Sequence, residues 1–243
     1  MFKKVLIGFF FLYTILEFSL LIHTLKDNPS GAALFRMALS VFFVWIVLGG
    51  WLQRKYLQKN YEKLTTLSSS PILTFTLFAT ALACMEEMVT TLMTNLAPLF
   101  GAARGTSYIT ASTNFFDVIF FHSVIAFVPM FVTLGYLLKR YAISPFAAFL
   151  LYGIVGTFAE MIFSGPATGS SAPYWICIYG LIVYLPAHQF INTERRPFFF
   201  IFYPLLVPLI AFSALATIWI PKVLNHPSIH FAPIVLVPTK TTP

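Results

Sequence analysis

The feature that most constrains this chain is a succession of apolar runs, each about the 20 residues a helix needs to cross a hydrocarbon core. Inside a bilayer no water pairs with backbone N–H and C=O groups, so a spanning segment must satisfy them itself, as a helix, or join a closed barrel. The runs are continuous and do not alternate with period two, which selects helices. Only 9% of the 243 residues are charged and 58% are hydrophobic, too little charge to coat a soluble fold. The expected class is all-α: a polytopic membrane helical bundle of about seven transmembrane helices.

The expected spans cover Val5–Leu25, Ala32–Leu52, Pro71–Leu92, Phe115–Leu138, Phe146–Phe163, Tyr174–Ile191 and Phe198–Ile220. Clusters of Pro, Gly, Ser and Asn separate them. Lys3-Lys4 ahead of an apolar run has the look of a signal peptide. No small-residue cleavage site follows, which makes the run a retained first helix. Residues 1–220 are expected to form the seven-span domain and 221–243 a Pro-rich extracytoplasmic tail. Within the tail, Phe231–Val237 is too short to span and is expected to lie on the membrane. The run Phe198-Phe199-Phe200 is expected to face lipid, and Pro129, Pro204 and Pro208 to bend their helices.

Basic residues set the orientation. The N-terminus and the loops after spans 2, 4 and 6 hold ten Lys and Arg, whereas the alternate loops hold four. That places the N-terminus inside and the C-terminus outside. The same bias accounts for the net charge of +7, with no need of a nucleic-acid partner. The expected location is a plasma membrane of prokaryotic type. Cys84 and Cys177 fall inside spans without CxxC spacing and read as small buried thiols.

Ionisable residues at bilayer depth cost a few kcal/mol on insertion scales and mark candidate sites. Glu86 and Glu87 are adjacent, so about 100° of helix separates their directions. Glu87 shares its face with Ala83, Cys84, Thr90, Thr91 and Thr94, small or hydroxylated residues of the kind that line helix contacts in membranes. Glu86 shares its face with more apolar residues, which favours Glu87 as the inward acid. Gly153, Gly156, Thr157, Glu160 and Ser164 make a second stripe that reads as a packed face. At 1.5 Å per residue, Glu87 lies ~24 Å and Glu160 ~21 Å from the inner ends of their spans, and Asp117 and His122 ~3 Å and ~10 Å from the outer end of theirs. All four fall in the outer half of the bilayer. Glu17, with Tyr13 one turn before it, falls near the middle. Arg36 either snorkels to the interface or pairs with one of the acids.

The order Glu86-Glu87, His122, His188…Asn192 resembles the glutamate-pair and histidine motifs of the CAAX-protease and bacteriocin-processing intramembrane hydrolases. Thr91 stands where that family has Arg and Val118 where it has Phe. His188 falls near the inner face, away from the other residues. The family's residue roles are therefore not carried over. There is no HExxH, GxSxG or Walker loop, and no GxGxxG leading into a helix.

A carboxylate and histidine layer suits general acid–base chemistry, a divalent metal or a proton relay. The leading expectation is an intramembrane enzyme, with or without a divalent metal, that acts on a lipid or lipid-linked substrate. Glu87, His122 and Glu160 would be its acid/base groups or metal ligands, supported by Asp117 and Glu86. The alternatives are a proton- or cation-coupled transporter, and a structural subunit whose acids only pair within the bundle. The sequence does not decide whether the protein is an enzyme.

Overall fold

The computed structural model describes residues 2–25, 28–57, 59, 70–191, 194–198, 200–227 and 229. Among them the fold is all-α, with an isolated bridge between Tyr141 and Arg196 in place of any strand. Five helical stretches are long and apolar enough to cross a membrane: Lys3–His23, Pro29–Lys55, Pro71–Asn95, Phe115–Arg140 and Pro145–Phe163. We number the helices α1 (Phe2–Thr24), α2 (Pro29–Val41), α3 (Pro71–Asn95), α4 (Ser123–Arg140), α5 (Pro145–Phe163), α6 (Ala172–Tyr184), α7 (Tyr203–Ser213) and α8 (Leu215–Val223).

Local chemistry fixes the helix starts. Asn28, Ser70 and Ser144 each accept a hydrogen bond from the backbone N–H three residues on, and a proline follows each at the first helical position. Proline there gives up an N–H that would have no partner in any case. The caps begin α2 at Pro29 and α5 at Pro145, earlier than hydropathy alone indicates. α2 runs on through a π segment at Phe42–Gly49, a short α turn, and a second π segment at Gln53–Leu57. α4 is entered through Phe115–Asp117 and a π segment at Val118–His122.

The expected sixth and seventh spans are built from pieces. α6 has 13 residues and passes into a 3-10 turn at Pro186–Phe190. The seventh stretch comprises a 3-10 turn at Phe200–Phe202, α7 and α8. Its break falls at Ala214, between the last two helices, whereas Pro204 opens α7 and Pro208 lies within it. Phe198 does not face outward: its ring packs on Tyr141 and Tyr203 at 5.1 and 5.2 Å. Phe199, the side chain of Phe200 and the Phe231–Val237 stretch lie outside the described residues.

α3 is the central helix, contacted by α2, α4 and α6, while α1 packs on α2 and α6 at the edge. Much of the outer surface is apolar, with Leu99, Ile162 and Phe163 each at least 75% exposed, as suits a chain solvated by lipid. At the basic end of the bundle Lys3 donates to the Tyr184 hydroxyl at 2.5 Å. There too Arg195 donates to the carbonyls of Leu138, Tyr141 and Ile143, clasping the α4–α5 turn. At the opposite end Arg36 donates to the Phe100 carbonyl at 2.7 Å. That bond answers the sequence alternative for Arg36: it holds a backbone oxygen and not an acid.

α5 and α6 make the closest helix pair, and glycine permits it. A Cβ at Gly156 would stand 2.1 Å from the Tyr179 ring, one at Gly153 2.7 Å from the Ile176 carbonyl, and one at Gly180 2.5 Å from the Phe149 ring. The Gly153–Gly156–Thr157 stripe is thus an interior face. Overpacking such a contact typically costs 1–3 kcal/mol. Gly156→Val is expected to lower the thermal unfolding midpoint of detergent-solubilised protein clearly. Gly8→Ala, where a Cβ meets nothing within 4 Å, should leave it unchanged or slightly raised. Equal effects at the two positions would refute the close-packing account.

Candidate functional site

Two polar clusters occupy the half of the bundle away from Lys3 and Arg195. The deeper one gathers the glutamates. Glu86 and Glu87 on α3 are 4% and 7% exposed, so both are buried and the expected division into an inward and an outward acid does not hold. The reason is the position of α3, which other helices cover on more than one face. Thr90 donates its hydroxyl to the Glu87 side chain at 3.1 Å, and the Ser123 hydroxyl of α4 lies near that carboxylate without a hydrogen-bond partner of its own among the described residues. Glu160 on α5 lies near enough to interact electrostatically with Glu86 and Glu87. Its carboxylate accepts hydrogen bonds from Tyr179 and, at 3.2 Å, from Ser164.

Gly156 makes the Tyr179–Glu160 contact possible. Its missing Cβ leaves room for the Tyr179 ring, whose hydroxyl then reaches the acid about one turn farther along α5. The phenols of Tyr152 and Tyr174 also lie within electrostatic range of Glu86. No Lys or Arg ion pair to these acids occurs among the described residues. The Tyr152 and Thr91 hydroxyls are buried there without a hydrogen-bond partner. Beside the cluster, an apolar groove of about 400 Å³ runs between α5 and α6, lined by Ile154, Thr157, Phe158, Met161, Ala172 and Ile176 among others. Thr157 and Met161 flank Glu160 along the helix.

Glu17 sits to one side. The expected Tyr13–Glu17 bond is replaced by two bonds to the 3-10 turn Pro166–Ser171: Tyr13 donates to the Ser170 carbonyl at 3.0 Å, and Ser171 donates to Glu17. The uncharged connection after α5 is thereby tied to α1.

The second cluster lies just ahead of α4, at the end of that stretch away from Arg140. His122 Nε2 is 3.6 Å from Asp117 Oδ2, and His226 Nε2 is 2.7 Å from Asp117 Oδ1. One donor atom from each of the three comes within 4.8 Å of the others. Asp117 is 7% exposed, and the histidine side chains are 11% and 16% exposed. The π segment explains the pairing. In an α-helix residues five apart differ by about 140° in direction. The i→i+5 hydrogen bonding of a π-helix instead sets them one above the other. Val118–His122 is π-helical, so His122 stands over Asp117.

His226 arrives by an equally defined route. α8 packs against α4 and ends in a Schellman motif. Asn225 is left-handed at φ 54°, the His226 N–H donates to the Pro221 carbonyl at 2.8 Å, and the Asn225 N–H donates to that of Lys222. The His226 ring stacks on Phe121 at 4.4 Å.

The structure therefore distributes the expected site residues over two clusters. Glu86, Glu87 and Glu160 share one, and Asp117 and His122 the other. Glu87 and Glu160 are not among the donors that close on His122. Sequence reasoning missed His226. The available signal was its place just beyond the seventh apolar stretch, on the same side as Asp117. His188 stays apart, bonded through Nδ1 to the Tyr184 carbonyl at 2.9 Å near Lys3. Comparison with protein-family models, curated proteins and solved structures finds no match.

Losing a hydrogen bond to a buried charged or polar group typically costs 1–3 kcal/mol. Tyr179→Phe, which removes the donor to Glu160, should lower stability by about that amount in a reversible denaturation assay. The same change in a Glu160→Gln background should cost measurably less, and additivity of the two changes would show that the bond contributes nothing.

Proposed function

We propose that the protein is a multi-pass membrane enzyme whose buried glutamates perform acid–base chemistry on a lipid or lipid-linked substrate. The observation that carries this reading is the buried pair Glu86 and Glu87 with the half-buried Glu160 in electrostatic range of both, beside tyrosine hydroxyls and with no basic partner among the described residues. Carboxyl groups so placed differ in surroundings: Glu160 accepts two side-chain hydrogen bonds and Glu87 one from Thr90. Among the described residues no hydrogen bond reaches the Glu86 side chain. Unequal environments separate the proton affinities of neighbouring carboxyls and assign acid and base roles. The groove beside Glu160 suits an acyl or prenyl chain, with the polar end of the substrate directed at the acids. In this reading Glu87 and Glu160 exchange protons with the substrate and Glu86 supports them.

The topology belongs to the same proposal. The chain crosses a prokaryotic-type plasma membrane seven times, N-terminus inside and C-terminus outside. The ten-to-four distribution of basic residues supports this. So do the contacts of Lys3 with Tyr184 and of Arg195 with the α4–α5 turn at one end, and of Asp117 with His226 at the other. A membrane-impermeant thiol reagent should label Arg104→Cys but not Lys59→Cys in intact cells; the reverse pattern would invert the orientation.

For the activity, purified protein in nanodiscs of total lipid extract should convert one lipid class to a product of different mass. Glu87→Gln should abolish that conversion while eluting as a folded particle, and Glu160→Gln should reduce it at least tenfold. Proton-coupled flux in liposomes without lipid conversion would replace the enzyme reading with a transporter.

A further inference from the structure

We infer that Asp117, His122 and His226 form a binding site for one borderline divalent cation, Zn²⁺ being the best match, which fastens the end of α8 to the start of the α4 stretch. The inference stands apart from the acid–base reading and uses none of its glutamates.

The donor chemistry selects the ion class. One carboxylate and two imidazoles suit zinc and its neighbours in the transition series, whereas calcium and magnesium favour all-oxygen shells and copper(I) favours sulfur. The spacing agrees. Bonds of about 2.0–2.2 Å in a tetrahedral zinc shell put donors roughly 3.3–3.5 Å apart. The observed separations are 3.6 Å from Asp117 Oδ2 to His122 and 2.7 Å from Asp117 Oδ1 to His226, and one donor from each of the three lies within 4.8 Å of the others. Seating an ion thus needs the His226 ring to withdraw by ~0.6–0.8 Å and the two imidazoles to close around the same point.

Two backbone devices and one ring stack aim these donors. The π segment stacks His122 over Asp117, and the Schellman turn at Asn225 delivers His226. The stack on Phe121 then sets the plane of the His226 ring. Partial exposure of both imidazoles leaves the ion a way in. Three protein donors leave a fourth position for water or another ligand, the arrangement found in zinc sites that keep an open coordination position. Imidazoles ligate a metal in their neutral form, so Asp117 would be the one charged donor of the filled shell.

The test uses full-length protein in detergent micelles, stripped with chelator and titrated with Zn²⁺ against a chromophoric zinc indicator. The expected result is one tight Zn²⁺ per chain. His226→Ala and Asp117→Asn should each weaken binding at least tenfold, while His188→Ala and Glu87→Gln bind as wild type. Zn²⁺ should also raise the thermal midpoint of the wild type and not of His226→Ala, because a ligand that binds the folded state alone stabilises it. His226 lies beyond the last helix, so its variant should elute as folded protein; if it does not, His226→Gln replaces it. No binding by the wild type, or equal affinity in the His226 variants, would overturn the site and leave an Asp–His hydrogen-bonded cluster.

Discussion

A carboxylate within a long apolar helix must be kept from apolar surroundings, and the arrangement of this bundle answers that requirement. Glu86 and Glu87 point in different directions from one helix, so one covering neighbour is not enough. α3 is surrounded by α2, α4 and α6, and both acids end buried. α1, whose Glu17 instead meets Ser171 of the 3-10 turn, can remain at the edge with much of its length exposed. The central place of α3 is therefore a consequence of adjacent acids as much as of apolar packing.

The second requirement is closeness. Hydrophobic burial does little to hold helices together where lipid is as apolar as the side chains, and packing and interhelical hydrogen bonds take its place. The α5–α6 contact combines them. Gly153, Gly156 and Gly180 let the backbones approach, and the room gained is filled by the Tyr179 ring that bonds Glu160. A glycine stripe and a half-buried acid, separate features along the chain, are here one device. Trp45 adds a further link by donating its indole N–H to the Ile178 carbonyl of α6 at 3.1 Å.

Much of this was legible in the residues. Long apolar runs predicted the five full-length helices, and Pro71 marked where α3 starts, whereas the Asn-Pro and Ser-Pro caps begin α2 and α5 ahead of the expected Ala32 and Phe146. The Gly153–Gly156–Thr157–Glu160 stripe was readable as an interior face. The grouping of the acids was not. A helical wheel assumes 100° per residue, and that assumption fails in the π segment where His122 is turned over Asp117. The same assumption separated Glu86 from Glu87, although burial depends on how many neighbours a helix has, which no single-helix pattern contains. His226 was obscured because it follows the last apolar run, in a stretch that composition marks only as tail. The breaks in the sixth and seventh stretches were partly visible: Pro186 marks the end of α6, whereas nothing in the side chains around Ala214 announces the junction of α7 and α8.

The π segment also relates the two clusters. Its last residue, His122, belongs to the Asp–His group, and the next residue, Ser123, lies near Glu87 in the deeper one. At His122 the backbone leaves helical values, with φ −122° and ψ −94°, before α4 resumes at Ser123. The distortion falls between the two groups: His122 meets Asp117, and Ser123 lies near Glu87. The two clusters are separate in their chemistry and joined through a single peptide link.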